Sequence, residues 1–321
     1  MPDRAGLLTP APPRTDLAWV FPGQGSQEVG MGRDVYAASA AARAVFRRAD
    51  AVLDMPLSRL CFEGPEEELR QTVNAQPAIV TVSIALLEAA RERDHALVQD
   101  RPGFVAGHSL GEYTALIAAG ALSFEEGLWL VRERGRLMQE AGERNPGTMA
   151  AIMGLDESVV QEICQESGAE ICNLNGAGQI VIGGRRPAVL HAMELARARG
   201  AAKVTELNVS GAFHSSLMRP AVEGMRAALS RVTFRDPEVP LIANSTAQPL
   251  TTGTAIREEL LRQLTSAVQW QRTVELLARL GVKAVVEIGP GRVLAGLIRR
   301  IARTVHLYNL NSVKALAGDA P

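Results

Sequence analysis

Apolar residues fall in two kinds of pattern along the chain, short continuous runs and stripes with helical spacing. The run at 17–21 contains no charged residue, and this predicts a strand that is buried on both faces. Residues 33–53 have apolar positions at helical spacing, and residues 76–90 are apolar enough to predict a helix buried on most sides. A second buried strand is predicted at 104–106. This order predicts an α/β protein with a parallel sheet.

The pattern changes after residue 146, where six predicted elements follow in the order strand, helix, strand, strand, helix, strand. Asn175 and Gly176 form the predicted turn between the two middle strands. This order is typical of a ferredoxin-like unit, which we expect to be a small domain inserted into a larger one. The predicted divisions are a leader at 1–16, a large domain at 17–145 and 211–312, the small domain at 146–210, and a tail at 313–321.

Composition narrows the class of protein. Of 321 residues, 47% are hydrophobic and 21% are charged, so a large folded core is expected. The formal net charge of -1 gives no indication of a nucleic-acid partner. No apolar run is as long as a membrane span, and residues 1–14 lack the apolar region of a signal peptide. The cysteines show no metal-ligand spacing, which predicts buried thiols, no metal site and a cytoplasmic location. They are Cys61, Cys164 and Cys172.

A candidate nucleophile follows the second predicted strand. Gly107, Ser109 and Gly111 have the spacing G-x-S-x-G of a nucleophile elbow, in which a serine lies on a tight turn between a strand and a helix. The backbone N–H groups at the start of that helix face any anion that forms beside the serine. The N–H of Leu110 is therefore a candidate donor to an oxyanion.

The glycine-rich loop at 22–27 follows the first predicted strand and contains Gln24 and Gln27. It has neither the G-x-G-x-x-G pattern nor the G-K-[ST] ending of nucleotide-binding loops, so we exclude a nucleotide site. Two interpretations stay open from these residues. The loop brings an amide side chain to a functional site, or it is a tight turn before the next helix.

Two further residues are candidates for the site. Arg134 shares a helix face with Val131 and Met138, so it either has an anionic partner inside the protein or extends along the surface to solvent. His214 lies between a predicted strand and a helix. Because a nucleophile elbow precedes it in the chain, we favour His214 as a catalytic base.

Four motifs together resemble the malonyl-CoA:acyl-carrier-protein transacylase family, which includes the free-standing acyltransferases of polyketide synthases. The motifs are FPGQGSQ at 21–27, GHSLGEY at 107–113, GAFHS at 211–215 and VQW at 268–270. The resemblance covers residues 17–310. It implies a core like that of the α/β-hydrolases with an inserted ferredoxin-like domain.

The resemblance also implies roles for individual residues. Ser109 would be the nucleophile and His214 its general base, oriented by a backbone carbonyl in a dyad. Arg134 would pair with the free carboxylate of a malonyl group. Coenzyme A thioesters would be substrates, no cofactor would be bound permanently, and an acyl carrier protein would accept the acyl group on its phosphopantetheine thiol. The remaining family positions are Gln24 and Leu110 in the oxyanion hole, and His108, Phe213 and Gln269 around the pocket.

Three other functions were weighed against malonyl transfer. A hydrolase of acyl thioesters has no need of a carboxylate partner, so Arg134 argues against it. A shuttle between two carrier proteins would use the same residues without coenzyme A. A non-catalytic docking module is disfavoured, because it would not need Ser109, His214, Gln24 and Arg134 together.

Overall fold

The fold is described from a computed structural model that covers residues 13–176 and 178–317. The strands are β1 (Arg14–Phe21), β2 (Pro102–Gly107), β3 (Thr148–Met153), β4 (Glu170–Gly176), β5 (Gln179–Gly184), β6 (Lys203–Glu206), β7 (Leu241–Ile242), β8 (Pro249–Leu250), β9 (Ala284–Ile288) and β10 (His306–Leu310). The helices are α1 (Arg33–Ala38), α2 (Ala40–Leu53), α3 (Leu57–Glu63), α4 (Glu66–Arg70), α5 (Thr72–Glu92), α6 (Ala96–Gln99), α7 (Gly111–Ala118), α8 (Phe124–Arg144), α9 (Glu157–Ser167), α10 (Arg186–Ala198), α11 (Arg219–Leu229), α12 (Gly253–Gln263), α13 (Trp270–Arg279), α14 (Val293–Ile301) and α15 (Val313–Leu316).

The larger sheet has six strands in the order β10-β9-β1-β2-β7-β8. All neighbouring pairs are parallel except β7 and β8 at one edge. β1 lies between β9 and β2, and its last five residues are buried, as expected for an apolar strand covered on both faces. The parallel register brings the carboxyl ends of β1, β2 and β9 to one edge of the sheet. The glycine-rich loop and the elbow therefore begin side by side.

The smaller sheet has four antiparallel strands in the order β4-β5-β3-β6. Helices α9 and α10 pack on it, and together they enclose a separate apolar core. The element order is the predicted β-α-β-β-α-β, and all of these elements lie between residues 146 and 210. We infer that this part of the chain is a unit inserted into the larger one.

Helix α5 is longer and more apolar than the sequence analysis expected. It has 21 residues and a mean hydropathy of 1.4 in its most apolar window, which by length and composition is enough to cross a membrane. However, 89% of that window is buried inside the protein, so α5 is a core helix. The predicted absence of any apolar run of this length was wrong, whereas the helix is buried on most sides as expected.

The structure differs from the sequence analysis in the predicted leader, in the predicted tail and in the predicted helix at 33–53. β1 begins at Arg14, inside the predicted leader, because the N–H of Arg14 donates to the Arg101 carbonyl at 2.8 Å. The tail begins with helix α15, whose first N–H donates to a carboxylate oxygen of Asp34 at 2.7 Å. The rest of both segments, 1–12 and 318–321, lies outside the described residues. Helices α1 and α2 divide the range 33–53, because Ser39 is extended and its hydroxyl caps α2.

The elbow packs so closely that both of its glycines are required. A Cβ on Gly107 would overlap the backbone of Gly111, and one on Gly111 would overlap the carbonyl group of Phe21. Ser109 itself has φ of 52°, in the left-handed region that residues with a Cβ seldom adopt. Close packing of β1, β2 and α7 thus holds the serine in a strained conformation.

We expect Gly107→Ala to destabilise the protein by about 3 kcal/mol or more, because the new Cβ has no space between two backbone segments. Gly296→Ala is the matched control, since a Cβ there meets nothing within 4 Å. Gly296 lies inside α14, where alanine should stabilise by about 0.5–1 kcal/mol. Urea unfolding followed by circular dichroism measures both changes. Equal unfolding midpoints for the two variants would contradict the overlap.

Candidate active site

Ser109 lies at the turn between β2 and α7, at the carboxyl edge of the larger sheet. Its N–H donates to the side-chain oxygen of Asn244 at 2.7 Å, and the side-chain nitrogen of Asn244 donates to the Gly107 carbonyl at 2.7 Å. Asn244 follows β7, the next strand of the sheet. One amide side chain therefore holds both sides of the strained turn and directs the hydroxyl of Ser109 away from it.

His214 is the partner of the Ser109 hydroxyl. Its Nε2 lies 2.7 Å from Ser109 Oγ, and its Nδ1 lies 2.8 Å from the backbone oxygen of Gln263. A carbonyl only accepts hydrogen bonds, so Nδ1 carries the proton in the neutral ring and Nε2 is left to accept from the serine. The geometry is that of a nucleophile with an oriented base.

Arg134 reaches the same point from α8, and only 1% of its surface is exposed. One guanidinium nitrogen donates to Gln76 Oε1 at 2.8 Å, and the other donates to Gln263 Oε1 at 2.8 Å and to Ser109 Oγ at 3.2 Å. Within residues 13–176 and 178–317, no carboxylate lies at ion-pair distance from it. Arg134 therefore does not extend along the surface, and its partners in the site are neutral oxygens.

Burial and this cation determine the protonation of the histidine. Burial, together with the nearby charge of Arg134, lowers the pKa of His214 from 6.5 to about 3. Burial also lowers the pKa of Arg134, but an arginine starts so high that it stays charged. The site thus combines a neutral imidazole with a positive charge next to the same hydroxyl.

The sequence analysis missed Gln263, as it missed Asn244 and Gln76. Besides its contacts with His214 and Arg134, Gln263 donates from its side-chain nitrogen to the Ser109 carbonyl at 2.9 Å and to Glu112 Oε2 at 2.5 Å. A signal was present in the sequence, since Gln263 lies four residues after Glu259 on the apolar face of α12. A glutamine on a buried helix face requires polar partners inside the protein.

A cavity of about 660 Å³ opens above these residues, between the two sheets. One wall comes from the larger unit, and the other includes side chains of β3, β4 and β5. Both polar and apolar groups line it. The apolar lining residues include Met138, Met149, Val181, Leu207, Val209 and Phe213, and the polar ones include Gln24, His108, Ser109, Arg134, Asn175 and His214.

Of the two predicted oxyanion residues, Leu110 lies inside the elbow and Gln24 lies in the glycine-rich loop after β1. The side chain of Gln24 donates to Thr72 Oγ1 at 3.2 Å, and that of Leu110 is fully buried in the core. In the part of the chain that the structure describes, the backbone N–H groups of Gln24 and Leu110 donate no hydrogen bond within the protein. Gln24 lines the cavity, and the N–H of Leu110 lies at the positive end of α7.

Two of the remaining predicted pocket residues line the cavity. Phe213 precedes His214 and contributes a ring to the wall. The Nε2 of His108 lies 2.8 Å from Asn175 Oδ1, which joins the elbow to the end of β4. The ring of His108 also packs against Trp270 with centroids 5.7 Å apart.

The third predicted pocket residue is Gln269, whose backbone N–H donates to the Asn244 carbonyl at 2.7 Å. Gln269 lies outside the cavity, where its side-chain oxygen accepts from Arg272. The residues on either side, Val268 and Trp270, are buried in the core, whereas Gln269 is half-buried. Contact with His214 comes instead from Gln263, at the end of the preceding helix.

Comparison with known proteins places this geometry in a family. The acyl transferase domain family matches residues 18–318. The chain belongs to the acyl transferase family. This acyl transferase is 45% identical over 292 residues to the malonyl CoA-acyl carrier protein transacylase of Bacillus subtilis (strain 168), covering 89% of this chain and 90% of the relative. It is 41% identical over 307 residues to the protein of the same name from Escherichia coli (strain K12), covering 94% and 98%.

Solved structures agree with the sequence relatives. The crystal structure of an acyl-carrier-protein-S-malonyltransferase from Bartonella henselae is 42% identical and has a TM-score of 0.89, covering 94% of this acyl transferase and 96% of that chain. A malonyl-transacylase in complex with its type II polyketide synthase acyl-carrier protein is 39% identical with a TM-score of 0.90, covering 94% and 97%. The predicted family and the predicted fold, a hydrolase-like α/β core with a small second domain, are confirmed.

We expect His214 to make the stability of the protein depend on pH. Its pKa is about 3 in the folded state and near 6.5 in the unfolded chain, so only the unfolded state binds a proton between those values. Lowering the pH from about 7 to about 5 should therefore lower the free energy of unfolding by about 2 kcal/mol through this residue. In His214→Gln the loss over the same interval should be smaller by that amount, as measured by urea titration. A parallel loss in both proteins would contradict a neutral, buried His214.

Proposed function

We propose that this acyl transferase moves a malonyl group from coenzyme A to the phosphopantetheine thiol of an acyl carrier protein, through an acyl-enzyme on Ser109. One observation carries the proposal. A nucleophile with its base, Ser109 and His214, shares a cavity with the buried cation of Arg134, which has no carboxylate partner among the described residues. A malonyl thioester offers both a carbonyl to attack and a carboxylate to pair with that cation.

The first half of the reaction forms the acyl-enzyme. Ser109 Oγ attacks the thioester carbonyl while its proton passes to Nε2 of His214. Collapse of the tetrahedral intermediate breaks the carbon–sulfur bond, and the departing thiolate of coenzyme A takes the proton from Nε2. Malonyl is then bound to Ser109 as an ester, and His214 is neutral again.

The tetrahedral intermediate has a negative oxygen that needs donors already in place. We assign this role to the backbone N–H of Leu110 and to Gln24 through its own N–H, because both groups have no acceptor in the described part of the protein. The loss of one such donor typically lowers the rate by about 10²–10³. His108 is a supporting residue here, through its contact with Asn175.

The second half of the reaction repeats the first with a different thiol. His214 Nε2 accepts the proton of the phosphopantetheine thiol, the sulfur attacks the ester carbonyl, and Ser109 recovers its proton as it leaves. The relative solved in complex with its acyl-carrier protein supports a carrier as the acceptor. The product would be an extender unit for the synthesis of fatty acids or polyketides.

Specificity for malonyl would come from contacts with two parts of the acyl group, its carboxylate and its central carbon. Arg134 selects the carboxylate, and we propose that the ring of Phe213 restricts substituents on the carbon between the two carbonyls. No bound cofactor is required by these steps, because the coenzyme A thioester is a substrate. The three cysteines are free and buried, which supports a reducing, cytoplasmic location.

Incubation with malonyl-CoA followed by intact-mass measurement tests the proposal. We expect a stable malonyl adduct in the wild-type protein, none in Ser109→Ala, and formation slowed by about 10²-fold or more in His214→Ala. Addition of a carrier protein should then discharge the adduct onto its thiol. Steady release of free malonate would indicate a hydrolase, and no adduct at all would indicate a shuttle or a docking module.

The role of Arg134 is tested by selectivity. Arg134→Ala removes charge-assisted hydrogen bonds to the malonyl carboxylate, each worth roughly 1.5–3 kcal/mol. The ratio of kcat/KM for malonyl-CoA over acetyl-CoA should therefore fall roughly ten- to a hundredfold or more. Arg134→Lys keeps the charge without the planar fork, so its ratio should lie between those of the wild type and the alanine variant.

Arg136→Ala is the matched control on the same helix. Arg136 is exposed and pairs with Glu133 and Glu140, so its loss should leave the ratio unchanged. A general loss of folding would lower the rates for both substrates together and would leave the ratio of their kcat/KM values unchanged. If both substrates lose rate equally in Arg134→Ala, the arginine is structural and a dicarboxylic acyl substrate loses its support.

A further inference from the structure

Strand β4 joins the smaller sheet to three segments that contain the active-site residues. At its end, Asn175 contacts His108 beside the nucleophile at 2.8 Å. In its middle, β4 exchanges two backbone hydrogen bonds of 2.9 Å with Val268, which lies five residues after Gln263. At its start, Glu170 reaches the segment that contains His214. The smaller sheet is therefore attached to the nucleophile, to the carbonyl that orients the base, and to the base.

The contact at the start of β4 is the strongest of the three. Glu170 Oε1 accepts from the hydroxyl of Ser216 at 2.5 Å, and Oε2 accepts from the N–H of Ser216 at 3.0 Å. Ser216 is two residues after His214 and begins the short turn that leads into α11. Hydrogen bonds to a charged acceptor are stronger than those between neutral groups, so Glu170 fixes both donors of Ser216.

The backbone at His214 needs such support because of its own conformation. His214 has φ of 62°, in the left-handed region, which costs a residue with a Cβ about 1 kcal/mol or more. The segment between β6 and α11 belongs to neither sheet. Its local hydrogen bond, from the Ser215 hydroxyl to the Ala212 carbonyl at 2.6 Å, closes the turn. Side-chain contacts with the larger unit lie toward the ends of the segment, where Ser210 Oγ is 3.0 Å from Thr72 Oγ1 and the Leu217 carbonyl accepts from Asn145 at 3.2 Å.

We propose that Glu170 is a positioning residue for His214. Its carboxylate holds the turn after the histidine, and the turn keeps Nε2 in hydrogen-bond reach of Ser109 Oγ. Glu170 touches neither the substrate nor a reacting atom. The inference rests on the proposed role of His214 as the base. The position of that base thus depends on the smaller sheet as well as on the larger one.

A positioning role has a kinetic signature that differs from that of Arg134. Misplacement of the base slows attack on every acyl group, whatever its charge. Malonyl-CoA and acetyl-CoA should therefore lose rate by the same factor when Glu170 is changed, and the substrate concentration at half-saturation should not rise. A change in the ratio of malonyl-CoA to acetyl-CoA is the signature expected of Arg134 instead.

Single-turnover acylation of Ser109, followed by rapid quench and intact mass, measures the effect. We expect Glu170→Ala to slow acylation by about ten- to a hundredfold, which is the scale of a small displacement of a catalytic group. Glu170→Gln keeps one acceptor oxygen and should lie between the alanine variant and the wild type. Ser216→Ala loses the hydroxyl but keeps its N–H, so its loss should be smaller. The double variant should be no slower than Glu170→Ala, because the two residues act through one contact.

Glu206→Ala is the control within the same sheet. Glu206 pairs with Arg186 and accepts from Thr148, away from the histidine, so its loss should leave the acylation rate unchanged. Labelling of Ser109 by a fluorophosphonate serves as a readout that needs no malonyl substrate. Slower labelling in Glu170→Ala supports the positioning role even if malonyl transfer itself is not the reaction.

Wild-type acylation and labelling rates in a folded Glu170→Ala protein would overturn the inference, as would equal effects of Glu170→Ala and Glu206→Ala. Should Glu170→Ala fail to fold, Ser216→Ala decides. An unchanged rate in that variant overturns the role of the contact, and a loss of rate with an unchanged free energy of unfolding supports it.

Discussion

The constraint on which the site depends is the burial of one positive charge. Arg134 is almost completely enclosed beside Ser109, and an uncompensated buried charge is costly. The protein meets part of this cost with the neutral oxygens of Gln76 and Gln263. Neutral acceptors solvate the guanidinium without cancelling its charge. The cation is thereby left to attract an anionic group that enters the cavity.

This arrangement links the cation of Arg134 to His214 and Ser109. Gln263 accepts from Arg134 with its side chain, accepts from His214 with its backbone carbonyl, and donates to the carbonyl of Ser109. The end of one helix, α12, thus sets the distances among three functional groups that come from different parts of the fold. The same cation also helps to keep His214 neutral, the form in which an imidazole acts as a base.

The two sheets contribute different things to the cavity. The larger, parallel sheet supplies the elbow and the tight packing of glycines that strains Ser109. The smaller, antiparallel sheet closes the opposite wall and contacts the His108 and His214 segments through β4. The cavity is therefore lined by apolar side chains from both units as well as by the polar groups around Ser109.

The sequence alone determined the features that depend on local chemistry. The spacing of Gly107, Ser109 and Gly111 predicted the elbow, because only glycine fits where strand and helix backbones touch. The order of apolar segments predicted the α/β class and the β-α-β-β-α-β unit, since the period of burial differs between strands and helices. The family resemblance added the roles that it implied for His214 and Arg134.

The tertiary structure decided what depends on residues far apart in the chain. The helical pattern left Arg134 either buried or at the surface, and only the contact with Gln263, 129 residues later, settled that it is buried. Separation along the chain also hid the contact of Gln263 with His214, because no local pattern indicates which glutamine faces a histidine some 50 residues away. Two further elements outside the predicted large domain also depend on contacts with distant segments. The first residues of β1 pair with β2 through Arg14, and helix α15 is held by Asp34. Local patterns set which apolar residues are buried and in which element, but the burial of a polar group such as Arg134 and the identity of its partners are set by packing.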